Sequence, residues 1–199
     1  MSKNTIRRDL NDLEARGHIA KVYGGVTIVG SPGAVPMPVR SNLNSSDKNQ
    51  IGMLAANEVQ DGDTIFIDSG STTVCLLRYL SSRKRVTVIT HSLGAMSEAS
   101  KYDNLSLISL GGIYNAATDS FTGLSTFEML SGMTINKAFM AATGISLESG
   151  MTNTTFLEAE IKRGVVQHAG GIYLLADSSK LDKSAVISFC PLKDLTAFI

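Results

Sequence analysis

The sequence predicts an α/β domain with a mostly parallel sheet and flanking helices, preceded by a small N-terminal segment of one helix and a β-wing. Two observations carry this prediction. Short apolar runs alternate with helical patterns along most of the chain, and a stretch rich in proline and glycine separates that part from residues 1–29. A chain of 199 residues is long enough for one sizeable domain and a smaller one.

The composition excludes several classes of protein. Hydrophobic residues make up 43% and charged residues 18%, with zero net charge, so the chain is neither disordered nor a basic nucleic-acid wrapper. No apolar run is long enough to span a bilayer, and the N-terminus lacks an export signal. Cys75 and Cys190 fit neither a disulfide framework nor a zinc site. We therefore expect a cytoplasmic protein with two buried thiols, no membrane partner, no metal and no cofactor.

The predicted domain boundary is a linker over residues 30–38, which contains three of the four prolines. Repeated proline and glycine disfavour both helix and sheet. This divides the chain into an N-terminal segment, residues 1–29, and a large domain, residues 39–199.

Within the large domain, apolar runs bounded by turn residues predict strands, and segments with helical periodicity predict helices between them. The apolar run Leu195–Ile199 predicts the opening of a further strand. The predicted strands are Thr64–Ile67, Val86–Thr90, Leu105–Leu110, Lys137–Ala141, Ile172–Ala176 and Val186–Phe189, and the predicted helices are Lys48–Val59, Thr73–Ser81, Gly94–Lys101, Ser125–Gly132 and Thr155–His168.

The N-terminal segment begins with a short amphipathic helix. Ser2 can cap it, an apolar stripe recurs at Ile6, Leu10 and Leu13, and Gly17 can stop it. The alternating residues 18–23 then turn at two glycines, which predicts a short β-wing beside the helix.

A helix followed by a wing is an outline typical of DNA-binding proteins. Residues 1–25 hold five basic and three acidic residues, and the arginine pair can reach phosphates or guanine edges in the major groove. The alternative is a solvated helix face with a few extra cations. The candidate DNA-binding residues are Ser2, Asn4, Thr5, Arg7, Arg8, Lys21 and Tyr23.

The run Thr5–Leu10, with Leu13, Gly17 and Tyr23–Gly25, resembles the recognition helix and wing of DeoR-type bacterial transcription regulators. The resemblance implies a winged helix-turn-helix that normally has two further helices before this point. We therefore expect the N-terminal domain to be partial. A trimmed chain, a start codon placed too late and a shortened gene remain open as explanations.

The strongest chemical motif is the Asp68–Thr73 turn, between a predicted strand and a predicted helix. Its small and hydroxylated residues allow backbone N–H groups to close on an anion, and the helix dipole adds partial positive charge. The candidate phosphate-binding residues here are Gly70, Ser71, Thr72 and Thr73. The alternative is an ordinary capped turn, with Ser71 or Thr72 as the cap.

Other strand ends are expected at the same edge of the sheet, because ligands of open α/β folds bind at the carboxyl ends of the strands. Lys180 could supply a cation for a phosphate, while Asp68 and Asp177 could accept hydrogen bonds from sugar hydroxyls. A surface role for Lys180 and a simple turn at Gly111–Gly112 are the alternatives. The further candidate effector-binding residues are Thr90, Ser92, Gly111, Gly112, Gly144, Asp177 and Lys180.

From about Pro38 onward the motifs also resemble the DeoR-type sensor domain in order and spacing. They include Asp68–Thr73, Thr90–Ser92, Gly111–Gly112, Phe121–Gly123, Ala138–Gly144, Gly150–Thr152 and Asp177–Lys180. That domain is similar in fold to ribose-5-phosphate isomerase and the CoA transferases. The resemblance implies a bound phosphorylated sugar, with Ser71, Thr72 and Thr73 holding phosphate and Asp68, Asp177 and Lys180 nearby. It also implies that a final strand and helix are missing after Ile199.

Three functions are compatible with these patterns. The favoured one is a DNA-binding transcription regulator, a repressor of carbohydrate catabolism, which binds operator DNA as a homo-oligomer and is controlled by a phosphorylated sugar. An isomerase would need a carboxylate beside the reacting carbon, but residues 140–145 contain none, and Glu158 and Glu160 are expected on a solvated helix face. We therefore expect no enzyme activity. The third function is a sugar-phosphate-binding module without independent DNA binding.

Overall fold

A computed structural model describes residues 3–15, 19–22, 25–28 and 37–199. In the N-terminal part, helix α1 spans Lys3–Ala15 and is followed by strands β1 (Ile19–Val22) and β2 (Gly25–Ile28). The two strands pair antiparallel, with Ile19 opposite Ile28. The predicted helix and wing are thus confirmed. The predicted contacts of Ser2 and Tyr23, and the stop at Gly17, lie outside the described residues.

The large domain alternates strands and helices in the predicted order. A 3-10 turn, Leu77–Tyr79, extends α4, and two further 3-10 turns cover Ser178–Lys180 and Leu192–Asp194. The elements are α2 (Met37–Asn42), α3 (Ser45–Asn57), β3 (Thr64–Ile67), α4 (Thr73–Leu76), β4 (Val86–Thr90), α5 (Leu93–Ala99), β5 (Leu105–Ser109), β6 (Ile113–Asn115), β7 (Ser120–Thr122), α6 (Leu124–Ser131), β8 (Ile135–Met140), β9 (Gly144–Ser146), β10 (Gly150–Asn153), α7 (Phe156–His168), β11 (Ala169–Leu174), β12 (Ile187–Cys190) and β13 (Ala197–Phe198).

The main sheet has six strands in the order β13-β11-β8-β3-β4-β5, and every pair is parallel. The chain runs from β3 outward through β4 to β5, and then crosses back to β8 on the other side of β3. The strand order therefore reverses between β3 and β8. In open α/β sheets, this switch point is where the carboxyl ends of the strands leave a crevice for a ligand.

Both faces of the sheet are covered, because side chains alternate between the faces along each strand. In β3, Ile65 and Ile67 belong to one buried cluster with residues of α3, α4 and α5, whereas Phe66 belongs to a second cluster with residues of α6 and α7. All three side chains are fully buried. The result is a three-layer arrangement of helices, sheet and helices.

A second, antiparallel sheet has the order β12-β10-β9, and β6 pairs with β7 in a separate hairpin. The predicted strand Val186–Phe189 exists as β12, but it pairs antiparallel with β10 and lies outside the main sheet. β6, β7, β9 and β10 were not predicted, because strands of only three or four residues carry little periodic signal.

At both ends of the large domain, the structure adds detail to the elements predicted from sequence. Helix α2 begins at Met37, so the last two residues of the predicted linker are helical, and the remainder of the linker lies outside the described residues. The strand predicted near the end of the chain is confirmed as β13, which pairs parallel with β11. Among the described residues, no helix is both long and apolar enough to cross a membrane.

Candidate functional site

Asp68 joins the two strands at the switch point. Its backbone N–H donates to the carbonyl of Phe139 at 3.1 Å, and its side chain accepts hydrogen bonds from the N–H of Ser69 and of Ala141, both at 2.8 Å. Asp68 follows β3 and Ala141 follows β8. One buried carboxylate therefore holds together the edge from which the Asp68–Thr73 turn leaves the sheet.

Lys162 of α7 neutralises this carboxylate. Its Nζ lies 2.6 Å from Oδ2 of Asp68 and also donates to the carbonyl of Ala141 at 2.7 Å. Asp68 is fully buried and Lys162 is 3% exposed. An ion pair removed from water depends on such geometry and additional hydrogen bonds. Protein groups thus already contact Asp68, and its predicted contact with sugar hydroxyls stays a prediction.

Glu158, one turn earlier in α7, is the centre of a second buried network. Its carboxylate accepts hydrogen bonds from Ser69 Oγ at 2.9 Å and from Ser120 Oγ, and it lies 3.4 Å from His91 Nε2. Burial by itself would raise the pKa of Glu158. The charge and hydrogen bond of His91, the charge of Lys162 and the hydrogen bond from Ser120 outweigh burial and hold this pKa well below its ordinary value.

The expectation of a solvated face for Glu158 is therefore wrong, because its side chain is only 3% exposed. Together with Asp68 and His91 it offers ligand atoms that lie within 4.8 Å of one another, a spacing that could hold a metal ion. The Lys162 ammonium forms an ion pair with the Asp68 carboxylate of this group.

The Asp68–Thr73 turn is held against β8 by close packing. A Cβ atom on Gly70 would overlap the Cβ of Ala141, so no larger residue fits there. The Thr73 hydroxyl donates to the carbonyls of Asp68 and Gly70, at 2.8 and 2.7 Å. Ser71 remains partly exposed, whereas Thr72 and Thr73 are buried. Their phosphate contacts stay predictions.

Three basic side chains converge beside this turn and form what we call the cation cluster, defined by Arg40 of α2, Lys48 of α3 and Lys180. Burial lowers the pKa of each of them. The positive charges of Lys180 and Arg40 lower the pKa of Lys48 further, and the charge of Arg40 also lowers the pKa of Lys180. The negative charge of Asp177 raises the pKa of both lysines and so opposes these effects. Such mutual effects require the three cations to lie close together.

Carboxylates oppose the positive charge of the cation cluster: those of Asp68, Glu158 and Asp119 act on Arg40, and that of Asp177 acts on Lys48 and Lys180. Lys48 is 5% exposed, and its Nζ donates to the backbone carbonyl of Arg40. Asp177 accepts hydrogen bonds from the Ser179 N–H at 2.9 Å and from the Asn44 side chain at 3.3 Å. The Nε atom of Arg40 is buried and has no hydrogen-bond partner among the described residues. This Nε–H group, with Lys48 and Lys180 nearby, is available to donate a hydrogen bond to an anion.

A cleft of about 120 Å³ adjoins the same turn. Ser71 lines it together with Ser41 of α2, Asn49 of α3 and Arg78, so the wall facing the turn consists of the two helices that follow the linker. Arg78 donates to the Asn49 side chain at 3.1 Å. The remaining lining includes the Asp119 carboxylate and the apolar side chains of Met37 and Val74, so the cleft is partly polar and partly apolar.

Several other candidate effector residues have structural partners. The Thr90 hydroxyl donates to the carbonyl of Ile67 and accepts from the Ser92 N–H, and Ser92 caps α5 by accepting from the Ala95 N–H. Gly112 has a φ of 145°, and a Cβ there would lie 2.7 Å from the Thr122 carbonyl oxygen.

Two more glycines among the candidate effector-binding residues, Gly111 and Gly144, differ in the space available for a side chain. At Gly144 a Cβ would lie 2.5 Å from the Lys183 carbonyl oxygen, whereas at Gly111 it would meet nothing within 4 Å. Contact of Thr90, Ser92, Gly111, Gly112 and Gly144 with an effector stays a prediction.

Arg40, Lys48, Lys162 and Glu158 were missed as site residues by sequence reasoning. Each lies on a helix, where a charged residue usually marks the solvated face. No local pattern distinguishes them, since partners such as Asp68 of Lys162 and Ser69 of Glu158 are distant in sequence.

The candidate DNA-binding surface consists of exposed side chains on α1. Asn4, Arg7 and Arg8 are exposed, and Thr5 is partly buried. Lys21 in the wing donates to the side chains of Glu14 at 2.5 Å and Asn11 at 2.6 Å, so the wing is attached to the helix through this lysine.

An α/β domain with a cleft and a group of basic side chains near its switch point, joined to a helix and wing, is an architecture typical of ligand-responsive transcription regulators. Two family models match the chain: the DeoR C terminal sensor domain over residues 43–199 and the DeoR-like helix-turn-helix domain over residues 1–31. The chain belongs to the DeoR family of transcription regulators. The resemblance stated from sequence is thus confirmed.

Similar proteins support the same family. The HTH-type transcriptional regulator IolR of Bacillus subtilis is 42% identical over 199 residues, covering 100% of this chain and 79% of that protein. The lactose phosphotransferase system repressor of Lactococcus lactis is 33% identical, covering 92% and 73%. The glycerol-3-phosphate regulon repressor of Escherichia coli is 23% identical, covering 94% and 75%.

Solved structures support the fold. A D-ribose-5-phosphate isomerase in complex with phospho-erythronic acid has a TM-score of 0.52 and 17% identity, covering 69% of this chain and 54% of that one. The isomerase of Methanocaldococcus jannaschii has a TM-score of 0.51 and 22% identity, covering 69% and 55%. The chain spans about half the length of these isomerases. The predicted likeness of the large domain to ribose-5-phosphate isomerase is confirmed.

Proposed function

We propose that this chain is a repressor of a carbohydrate-catabolism operon, and that a phosphorylated sugar bound at the cation cluster controls its affinity for operator DNA. The observation that carries the proposal is the group of Arg40, Lys48 and Lys180 near the Asp68–Thr73 turn, in which the buried Nε of Arg40 has no hydrogen-bond partner among the described residues. A phosphate dianion would offset the repulsion among these cations and accept their hydrogen bonds. The names of the lactose and glycerol-3-phosphate repressors support this effector class.

Helix α2 offers a route from the effector to the DNA-binding part. It supplies Arg40 to the cation cluster and Ser41 to the cleft, and it also contacts strand β1 of the wing. A ligand that moves Arg40 therefore acts on an element that touches the wing directly. We propose that effector binding changes how the wing and α1 are presented to DNA.

The first experiment is a thermal-shift screen of ribose 5-phosphate, glucose 6-phosphate and fructose 6-phosphate beside the same sugars without phosphate. A ligand that binds only the folded state raises the unfolding midpoint. We expect a rise with at least one phosphorylated sugar and none with its unphosphorylated form. Equal shifts with both forms would contradict a phosphate-directed site.

The matched variants are Lys180→Met, in the cation cluster, and Lys183→Met, at an exposed position nearby. We expect the first to lower the affinity for the responding sugar phosphate at least tenfold in calorimetry and the second to leave it within twofold. A weaker effect at Lys180 than at Lys183 would place the anion elsewhere.

A further inference from the structure

Strand β5 is an edge of the main sheet, and its outer side is unprotected. Its ladder partner among the described strands is β4 alone. Residues 106–109 of the strand are exposed, as are residues 111–117 that follow it. Soluble proteins usually protect such an edge with charged side chains, proline or a bulge, because its free N–H and C=O groups can pair with another strand.

This edge has none of those protections. From residue 104 to residue 118 the sequence contains no charged residue and no proline. The β4–β5 register runs without interruption from Leu105 to Ser109, so the strand has no bulge. The opposite edge of the sheet, β13, has only two residues.

Large apolar side chains surround the free edge. Leu107 and Ile108 are 37% and 36% exposed within β5, Ile113 and Tyr114 are 78% and 45% exposed in β6, and Leu124 is 75% exposed at the start of α6. We call these five residues the β5 edge surface. A Cβ on Gly123, next to Leu124, would lie 4.0 Å from the Ile113 nitrogen, so β6 and the start of α6 adjoin. Leu107 and Ile108 lie on opposite faces of the sheet, so a strand added at this edge would contact apolar side chains on both faces.

We propose that the β5 edge surface is where two copies of this chain associate, with their β5 strands paired antiparallel around a two-fold axis near Leu107. The free backbone groups require an extended partner strand, and the absence of charge over residues 104–118 offers nothing to attract DNA or a charged protein. A second copy meets both requirements. In this register Leu107 faces its own symmetry mate and Ile108 faces Ser106, so one surface is complementary to itself.

The test is the mass of the full chain by size-exclusion chromatography with light scattering. We expect the wild type to have a mass of at least twice the 21.2 kDa of one chain. We expect the double variant Ile113→Glu/Leu124→Glu to halve that mass, since both changes place charge in the interface at positions exposed in the monomer. Ser106→Lys, a single charge added to the edge, should do the same.

The control is Leu147→Glu/Val186→Glu, which changes two apolar residues that are 94% and 82% exposed elsewhere on the domain. We expect the control to keep the wild-type mass. A monomeric wild type, an unchanged mass in both edge variants, or dissociation of the control would each overturn the proposal. Circular dichroism identifies any variant that fails to fold.

A crosslinking experiment tests the position of the axis. In Leu107→Cys the new thiols of the two copies would face each other, whereas native Cys75 and Cys190 are buried. A short bis-maleimide should therefore crosslink Leu107→Cys into dimers far more efficiently than Leu147→Cys. Equal crosslinking of the two variants would contradict an axis at Leu107. This result does not depend on which effector the protein binds.

Discussion

At the residue scale, the ion pair of Lys162 with Asp68 has the largest predicted effect on stability. Lys162→Met would leave a fully buried carboxylate without its cation, and breaking a buried pair in this way costs about 3–5 kcal/mol. Lys101→Met, which removes an exposed partner of Glu98, should cost less than about 1 kcal/mol. Urea unfolding of both variants measures the difference, and comparable losses would contradict the assigned role of Lys162.

The Glu158 carboxylate predicts acid sensitivity. Because its pKa in the folded protein lies below its unfolded value of about 4.3, its contribution to stability is complete above that pH and is lost as the pH falls through and below it. Glu158→Gln should therefore flatten the acid side of the stability profile, with some loss of stability at neutral pH. Glu160→Gln, at a more exposed carboxylate on the same helix, should preserve the wild-type slope in unfolding measured from pH 7 to pH 3.

The sequence was sufficient to find the Asp68–Thr73 turn, because small hydroxylated residues after an apolar run form a local pattern. It was not sufficient to find the partners of this turn. Lys162 lies 94 positions from Asp68, and only the crossover from β3 through β8 to α7 brings them together. Arg40 follows a proline-rich stretch that predicted a linker, and Lys48 was expected within a helix without a site role.

At the element scale, α1 is the candidate recognition helix, and its exposed arginines are the residues to test. In a complex with operator DNA, Arg7→Ala/Arg8→Ala should weaken binding and reduce the slope of log K against log salt by about 0.9 for each DNA phosphate that is no longer neutralised. Lys193→Ala removes an exposed cation from the large domain and should leave both quantities unchanged. Fluorescence anisotropy at several salt concentrations measures the slopes, and an unaltered slope in the arginine variant would exclude phosphate binding by these two side chains.

The elements that sequence predicted best are the buried parallel strands. β3 and β4 match their predicted bounds, because a parallel strand covered on both faces reads as a continuous apolar run. The antiparallel strands β6 and β7, and β9 and β10, form short hairpins of three or four residues a strand, and β10 also pairs with the distant β12. Strands this short contain too few residues for an alternating pattern to stand out in the sequence.

At the scale of the whole molecule, the proposed regulation is a linked equilibrium. If the effector lowers operator affinity by a given factor, operator DNA must lower effector affinity by the same factor, with a coupling free energy of about 1–3 kcal/mol. The two factors can be measured separately, by operator titrations with and without saturating sugar phosphate and by calorimetry with and without operator. Reciprocity holds for any coupling route, so the outcome that would contradict the proposed regulation is a factor of one in both titrations.

The attachment of Asp68 to β8 has a consequence for genetics. A screen for mutants that no longer respond to inducer keeps only alleles whose protein still accumulates and still silences its promoter. Substitutions at Asp68 would remove a buried anchor of the sheet as well as altering the pocket edge, so they should appear among derepressed, poorly accumulating alleles. Such a screen would therefore not identify Asp68 as an effector-site residue. It should recover substitutions at Lys180, as repressors that still bind operator DNA but no longer respond to the inducer.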